Sequence, residues 1–347
     1  MTRKPRLHLA PSLCHRRLME AIRPSLAYRG GDVRVWRKKL RRKLAELLGA
    51  MPQERVPLNV RSLWKREHRL GTVEKIVFTS EPHADVPAYV CLPKNAEPPY
   101  TFFITLQGHS VGIHYSIGVD AKDERTPIEI KVSDYDFAQG CMERGIAALC
   151  VEQRSLGSRK ETLQAKIHGT CDNAAMQALM IGRTLVGERV YDVDRGIDYL
   201  ATRGDVDMKR IGIMGLSGGG TASVYAAAML PRIRYAMPSG SFGDYRHSKM
   251  ALYHCPCGYI PRVMLYADMA DILGLFAPRP VVIAAGRKDP IVPIRSVREG
   301  FKQLKRIYAA AGAGDRCHLV VGPGGHLFFA NLGWRRMLAE MRRSSQR

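Results

Sequence analysis

Three residues far apart in the chain have the types needed for nucleophilic catalysis: Ser217, Asp289 and His326. Ser217 stands in Gly215-Leu216-Ser217-Gly218-Gly219, between the apolar run Ile211 to Met214 and the small, helix-competent run Thr221 to Met229. Glycines two residues to either side of a serine let a strand turn sharply into a helix, because no Cβ atoms collide as the two close on each other. Such a turn lifts the serine hydroxyl out of the sheet. The serine alone is a poor nucleophile at neutral pH and needs a base, which in turn needs an acid to orient it. Asp289 comes after the apolar run in VVIAAGRKDP, and His326 comes after the next one in LVVGPGGHLF. Both therefore lie just past the carboxyl ends of expected strands, where open parallel sheets bind ligands. His318 and Asp315 are the competing base and acid, but they come before the last strand rather than after one.

Negative charge on an attacked carbonyl needs amide donors. The amide of Gly218, at the helix start, is one. The other is expected from the loop after the strand TFFITL, in Gln107-Gly108-His109-Ser110, where Gly108 lets the backbone turn inward. The amide of His109 is the candidate, with Ser110 as the alternative. The segment from Ser241 to Asp271 lies where a substrate cap can be inserted, and its Tyr245, Tyr253, His254 and Tyr259 are candidates for a pocket. Arg154 comes after another strand end and could hold an anionic substrate; pairing with a nearby acid is the favoured reading.

The elements that must position these residues can be read from patterning. Residues 1–70 read as a basic helical extension, in which Val33, Trp36, Leu40, Leu44 and Leu47 share one side of a helix that Gly49 ends. Residues 71–347 read as the main domain. Val73 to Phe78 and Val86 to Leu92 suggest an antiparallel pair at a sheet edge. Thr101 to Leu106, Ile146 to Val151, the strand before Ser217, Ile233 to Met237, Val281 to Ala285 and Leu319 to Val321 alternate with helical stretches. That order implies a mostly parallel central sheet covered by helices on both faces, with a cap insertion at 241–271. Within 174–200, Asp192, Asp194 and Arg195 read as a solvated helix face.

Composition excludes several classes. At 347 residues the chain can bury a sizeable core, and no apolar run approaches the ~20 residues of a membrane span. The N-terminus has basic residues but no apolar stretch behind them, so a cytoplasmic protein is expected. Its eight cysteines then read as free thiols. Cys255 and Cys257 beside His254 bring three soft donors together, but without a second donor pair they make a poor tetrahedral metal set, so neither metal nor cofactor is expected. The formal charge is +22, and residues 1–75 hold 20 Lys/Arg against 6 Asp/Glu. No nucleic-acid motif or aromatic series accompanies that charge, so no specific nucleic-acid partner is expected. A small-molecule ester is the expected partner, and homo-oligomerisation is left open.

The runs ALMIGRTLVGERVYDVDRGIDYL (178–200), GLSGGG, YADMADILGLFAPRPVVIAAGRKDPIVP (266–293) and the final GGH resemble the dienelactone-hydrolase-like and acetyl-xylan-esterase-like α/β hydrolases. The resemblance implies an α/β-hydrolase fold and a cofactor-free serine carboxylester hydrolase, with Ser217, Asp289 and His326 as its triad. The dienelactone enzymes proper carry a cysteine nucleophile, so their lactone substrate does not carry over. The oxyanion loop of related hydrolases often begins His-Gly, whereas here it begins Gln107-Gly108. The reading is thus a serine esterase. A peptidase or carbon-carbon bond hydrolase on the same scaffold is the alternative, and a non-catalytic basic binding protein is the rival from another class.

Overall fold

Nine strands form one sheet in the computed structural model, which describes residues 9–109, 112–130, 135–161 and 171–345. The strands are β1 (Arg61–His68), β2 (Gly71–Glu81), β3 (Ala84–Pro93), β4 (Tyr100–Leu106), β5 (Ala147–Val151), β6 (Val206–Leu216), β7 (Tyr235–Ser239), β8 (Val281–Gly286) and β9 (Cys317–Gly322). Their order is β1-β2-β3-β5-β4-β6-β7-β8-β9. β1, β2 and β3 pair antiparallel with one another, and β3 pairs antiparallel with β5. Every pair from β5 through β4 to β9 is parallel. β5, β7 and β8 are buried at every residue, as strands covered on both faces must be, and this is why β5 and β8 read in the sequence as apolar runs.

The helices are α1 (Pro11–Ala21), α2 (Val33–Leu48), α3 (His114–Ile117), α4 (Phe137–Met142), α5 (Asp172–Met180), α6 (Leu185–Ala201), α7 (Gly218–Met229), α8 (Met269–Gly274), α9 (Ile294–Ala310) and α10 (Ala330–Ser345). One layer of core joins Leu40 and Leu44 of α2, Val193 and Ile197 of α6, Ala226 of α7, Ile272 of α8 and Leu304 of α9 to β2, β4 and β6. The opposite layer joins Phe137 and Cys141 of α4 to Trp334 and Met337 of α10. The fold is an α/β-hydrolase fold: a mostly parallel sheet with helices on both faces.

α2 starts where Asp32 accepts hydrogen bonds from the backbone N–H groups of Arg34 and Val35, and it stops at Gly49, whose φ is 102°. Its expected stripe is the side that packs, with Leu40 and Leu44 each 1% exposed. Residues 61–68 depart from the expected helical extension, since they form edge strand β1. This strand has exposed residues on its outer face, and only Trp64, Arg66 and His68 are half-buried. A charged one-sided strand lacks the apolar run that signals a buried one.

The expected solvated face on α6 also needs correcting. Asp192 and Arg195 are 1% and 3% exposed, and Asp192 is ion-paired with Arg154 at 2.9 Å and with Arg159 at 2.7 Å. Opposite charges supplied by distant segments make a buried face look polar in the local sequence. Residues 240–268 run between β7 and α8 and contain only two short 3₁₀ turns, Pro256–Gly258 and Val263–Leu265.

Candidate active site

Ser217 directly follows β6 and caps α7 with φ 59° and ψ −118°, a region that costs a non-glycine residue roughly 1–3 kcal/mol. The surrounding backbone holds it there. Its N–H donates to the Ser239 carbonyl at 3.0 Å, and its own carbonyl accepts the Thr221 N–H at 2.8 Å. The flanking glycines are sterically required: a Cβ on Gly219 would sit 1.9 Å from the Leu106 carbonyl oxygen, and one on Gly215 would sit 2.6 Å from that same atom. The α7 N-terminus therefore lies hard against the end of β4.

Asp289 and His326 lie on the loops after β8 and β9. Asp289 Oδ2 is 2.7 Å from His326 Nδ1, and Asp289 Oδ1 accepts the N–H groups of Ile291 at 2.8 Å and Val292 at 3.0 Å. Burial is the largest single influence on this carboxyl and works to raise it. The hydrogen bond and charge of His326, with the Val292 and Ile291 amides, outweigh burial and hold Asp289 below the usual carboxylate range. His326 Nε2 is buried without a hydrogen-bond partner among the described residues. The His326 ring packs over Gly240, where a Cβ would lie 2.8 Å from Cε1. Gly240 lines the same cavity as Ser217. An imidazole with Nδ1 held by a carboxylate and Nε2 left open can accept a proton from a nearby hydroxyl.

The loop after β4 closes over the serine, since a Cβ on Gly108 would be 3.1 Å from Ser217 Cβ. The Gln107 side chain does not face the cavity. It is buried and donates to Ser116 Oγ at 2.6 Å and to the Tyr135 carbonyl at 2.8 Å, while the Gln107 backbone carbonyl accepts Gln153 Nε2. Beneath the loop, Glu152 is buried at 1% exposure and accepts the backbone N–H groups of Ser158 at 3.2 Å and Ile113 at 3.4 Å. Its burial pushes the carboxyl up to about 7, against the pull of those two amides. Ser110 lies outside the described residues.

The cavity above Ser217 measures about 340 Å³ and is lined by His109, Ser217, Gly218, Lys249, His254 and Cys257 among others. Of the pocket candidates, Tyr253 and His254 reach it. Desolvation, with the charges of Lys249 and His326 next, takes His254 down to about 4. Tyr245 is buried and shares a 2.6 Å hydrogen bond with Tyr225. Tyr259 lies outside the lining and donates to the Lys249 carbonyl at 3.1 Å. Arg154 is held in ion pairs with Glu81 at 2.6 Å, Asp192 at 2.9 Å and Glu188 at 3.4 Å, which is the pairing favoured from the sequence. Lys249, which no motif singles out, is the cation that does reach the cavity. Burial, its largest influence, lowers its pKa.

The His109 side chain is also placed in the cavity wall. Its Nε2 is 3.4 Å from Cys257 Sγ and 3.5 Å from Cys171 Sγ. With Cys255 these residues form a group of four soft donors whose ligand atoms all lie within 4.8 Å of one another. The expectation that Cys255 and Cys257 lack a second donor pair is thus corrected: His109 and Cys171 supply it. The place of His109 just after β4 was a sequence signal, whereas Cys171, immediately before α5, had none.

Comparison with known proteins agrees with this fold. The model of the Abhydrolase family matches residues 6–242, and that of the prolyl oligopeptidase family matches residues 162–324. YtaP of Bacillus subtilis (strain 168), assigned to the hydrolases, is 29% identical over 297 residues, covering 84% of this chain and 94% of YtaP. Among solved structures, a Bacteroides fragilis protein assigned as an acetyl xylan esterase superposes with TM-score 0.75 at 16% identity, covering 93% of this chain and 84% of that one. A glucuronoyl esterase from Solibacter usitatus superposes with TM-score 0.69 at 16% identity, covering 93% and 98%.

Proposed function

This chain belongs to the Abhydrolase family, and from that premise we propose that it is a serine hydrolase cleaving a carboxylic ester through an acyl-enzyme. The observation that carries the reading is the 2.7 Å Asp289–His326 pair, with His326 Nε2 buried without a partner among the described residues and the ring packed against Gly240, which lines the cavity that holds Ser217. In the first half-reaction Ser217 Oγ attacks the ester carbonyl carbon while His326 Nε2 takes the hydroxyl proton. The carbonyl electron pair moves onto oxygen, where the amides of Gly218 and His109 stabilise it. The tetrahedral centre collapses, His326 returns the proton to the departing alkoxide, and an alcohol leaves. Water then repeats the sequence and releases the acid. Asp289 keeps the imidazole in the tautomer that presents Nε2 as acceptor.

A cavity of about 340 Å³ suits a small acyl group. The two esterases that share the fold support an ester, of a sugar or sugar acid, as the substrate class. The match to the prolyl oligopeptidase model over residues 162–324 favours a second reading, a peptidase on the same scaffold. An active-site-directed fluorophosphonate tests both, and should label the protein once, at Ser217. Hydrolysis of p-nitrophenyl acetate with no cleavage of peptide anilides supports the ester; the reverse supports the peptidase. Absence of both labelling and turnover in folded protein rejects catalysis and favours a binding protein.

A further inference from the structure

The four soft donors beside Ser217 are the strongest unassigned feature of the molecule. They come from three separate places: His109 on the loop after β4, Cys171 immediately before α5, and Cys255 and Cys257 in the segment over the cavity. Four-coordinate zinc with Zn–S near ~2.3 Å and Zn–N near ~2.0–2.1 Å has tetrahedral edges of about 3.5 Å between N and S and about 3.8 Å between two S. The Nε2–Sγ separations of 3.4 and 3.5 Å already match the first of these edges. The widest separation within the group, at most 4.8 Å, exceeds the second edge by about 1 Å, a contraction that side-chain rotation can supply.

Charge supplies a second, independent argument. Arg189 is 2% exposed and donates to the Arg154 carbonyl at 2.7 Å and to Cys171 Sγ at 3.3 Å, and it makes no ion pair with a carboxylate among the described residues. A buried guanidinium without a counter-charge is strongly unfavourable. Lys249 lines the cavity together with Cys255 and Cys257. The positive charge of Arg189 and Lys249 faces the sulfur atoms and meets no carboxylate in an ion pair among the described residues. A divalent ion bound by three thiolates and one neutral imidazole carries a net charge of −1 and answers it, with the three thiol protons released to solvent.

We propose that His109, Cys171, Cys255 and Cys257 form a closed Cys3His site for a thiophilic divalent cation, zinc being the best fit. Four protein ligands leave no open position, so the ion is structural and takes no part in acyl transfer. It ties the loop that carries the His109 amide to α5 and to the segment over the cavity. His109 then serves twice: its ring fixes the ion, and the ion fixes the backbone donor. This proposal rests on donor geometry and stands whether or not the esterase reading does.

The test uses the full chain, purified with reductant and zinc, then desalted. Elemental analysis should find one zinc per chain. Cobalt(II) added to the reduced, zinc-free protein should give the thiolate-to-cobalt charge-transfer band and the intense visible bands of tetrahedral coordination. Cys171→Ser and Cys257→Ser should each weaken cobalt affinity by about 10²-fold or more, since loss of even an outer-shell partner costs ~10–100-fold. Cys14→Ser, at an exposed position outside the group, should bind like the unsubstituted chain. A folded, reduced protein that takes up cobalt without a thiolate band overturns the proposal. A disulfide among Cys171, Cys255 and Cys257 in protein purified without oxidant overturns it as well, whatever the esterase activity proves to be.

Discussion

His326 Nδ1 lies 2.7 Å from Asp289 Oδ2 across two loops separated by strand β9 and helix α9, and the contact leaves Nε2 as the ring nitrogen without a partner among the described residues. Asp289 is itself anchored through Oδ1 by two amides, so its carboxylate cannot swing with the ring. Replacing it with Asn would keep the shape and the amide contacts of Oδ1. The replacement's NH2 would then face Nδ1 and favour the tautomer with the proton on Nε2. Asp289→Asn should therefore lose about 10⁴ in kcat on p-nitrophenyl acetate, with the thermal midpoint little changed. A loss under tenfold in a folded variant would remove Asp289 from the proposed mechanism.

Glu152 gives a pH signature separate from catalysis. Its folded-state pKa, pushed up to about 7 chiefly by burial, lies above the ~4.3 of the unfolded chain. The folded state therefore binds more protons than the unfolded state between these values. Stability falls as pH rises through that window and stays low above it. The loss is on the order of 3 kcal/mol for a shift of this size. Glu152→Gln removes the titration and keeps an acceptor for the Ser158 and Ile113 amides. Denaturant titrations at about pH 5 and about pH 8 should show the difference between the two conditions shrink by that amount in the variant. An unaltered pH dependence would mean Glu152 is ionised in the fold throughout.

The elbow can be tested against a control glycine. A Cβ at Gly219 would meet the Leu106 carbonyl oxygen at 1.9 Å, and neither backbone segment can retreat without breaking the β4–β6 ladder or the first turn of α7. At Gly204, which precedes β6, an added Cβ meets nothing within 4 Å and φ is ordinary. Gly219→Ala should cost about 3 kcal/mol or more in denaturant unfolding. Gly204→Ala should be neutral or stabilising by up to about 1 kcal/mol. Equal stabilities for the two variants would contradict the close approach of α7 to β4.

Ser217, Asp289 and His326 were legible because a parallel α/β sheet writes its ligand edge into the sequence: each buried strand is an apolar run, and the residues next along the chain lie at that edge. β1 was not, because Arg61 to His68 buries only one face at a sheet margin and carries charges on the other. Asp192 misled for the opposite reason. Its spacing on α6 looks solvent-facing, but the cations that cover it, Arg154 and Arg159, come from a loop over 30 residues earlier. The Cys3His group was half visible, since Cys255 and Cys257 are close neighbours in the chain. Cys171 and His109 join them only through the way separate loops converge over one sheet edge, which spacing along the chain does not encode. Among the pocket candidates, Tyr245 was drawn inward by its hydroxyl pairing with Tyr225, a contact no local pattern announces.

The excess charge of residues 1–75 yields the last prediction. If these residues were an arm for nucleic acid, their cations would be free to meet phosphates. Instead α2 buries Leu40, Leu44, Leu47 and Leu48 in the main core, and Arg41 is turned inward to the carbonyls of Ala228 and Leu275 at 3.2 and 3.0 Å. Arg55 is likewise engaged, pairing with Asp194 at 2.5 Å. Among the described residues, Arg34, Arg37, Lys38 and Arg42 of α2 line one shallow groove with no aromatic side chain in its wall, so any DNA binding should depend on counterion release alone. Fluorescence anisotropy with unrelated duplexes should give equal, weak affinities at low salt. A face contacting 6–10 phosphates should lose about 10³–10⁵ in affinity between ~50 and ~200 mM salt. Preference for one sequence, or tight binding that survives ~200 mM salt, would show that the basic face reads nucleic acid specifically.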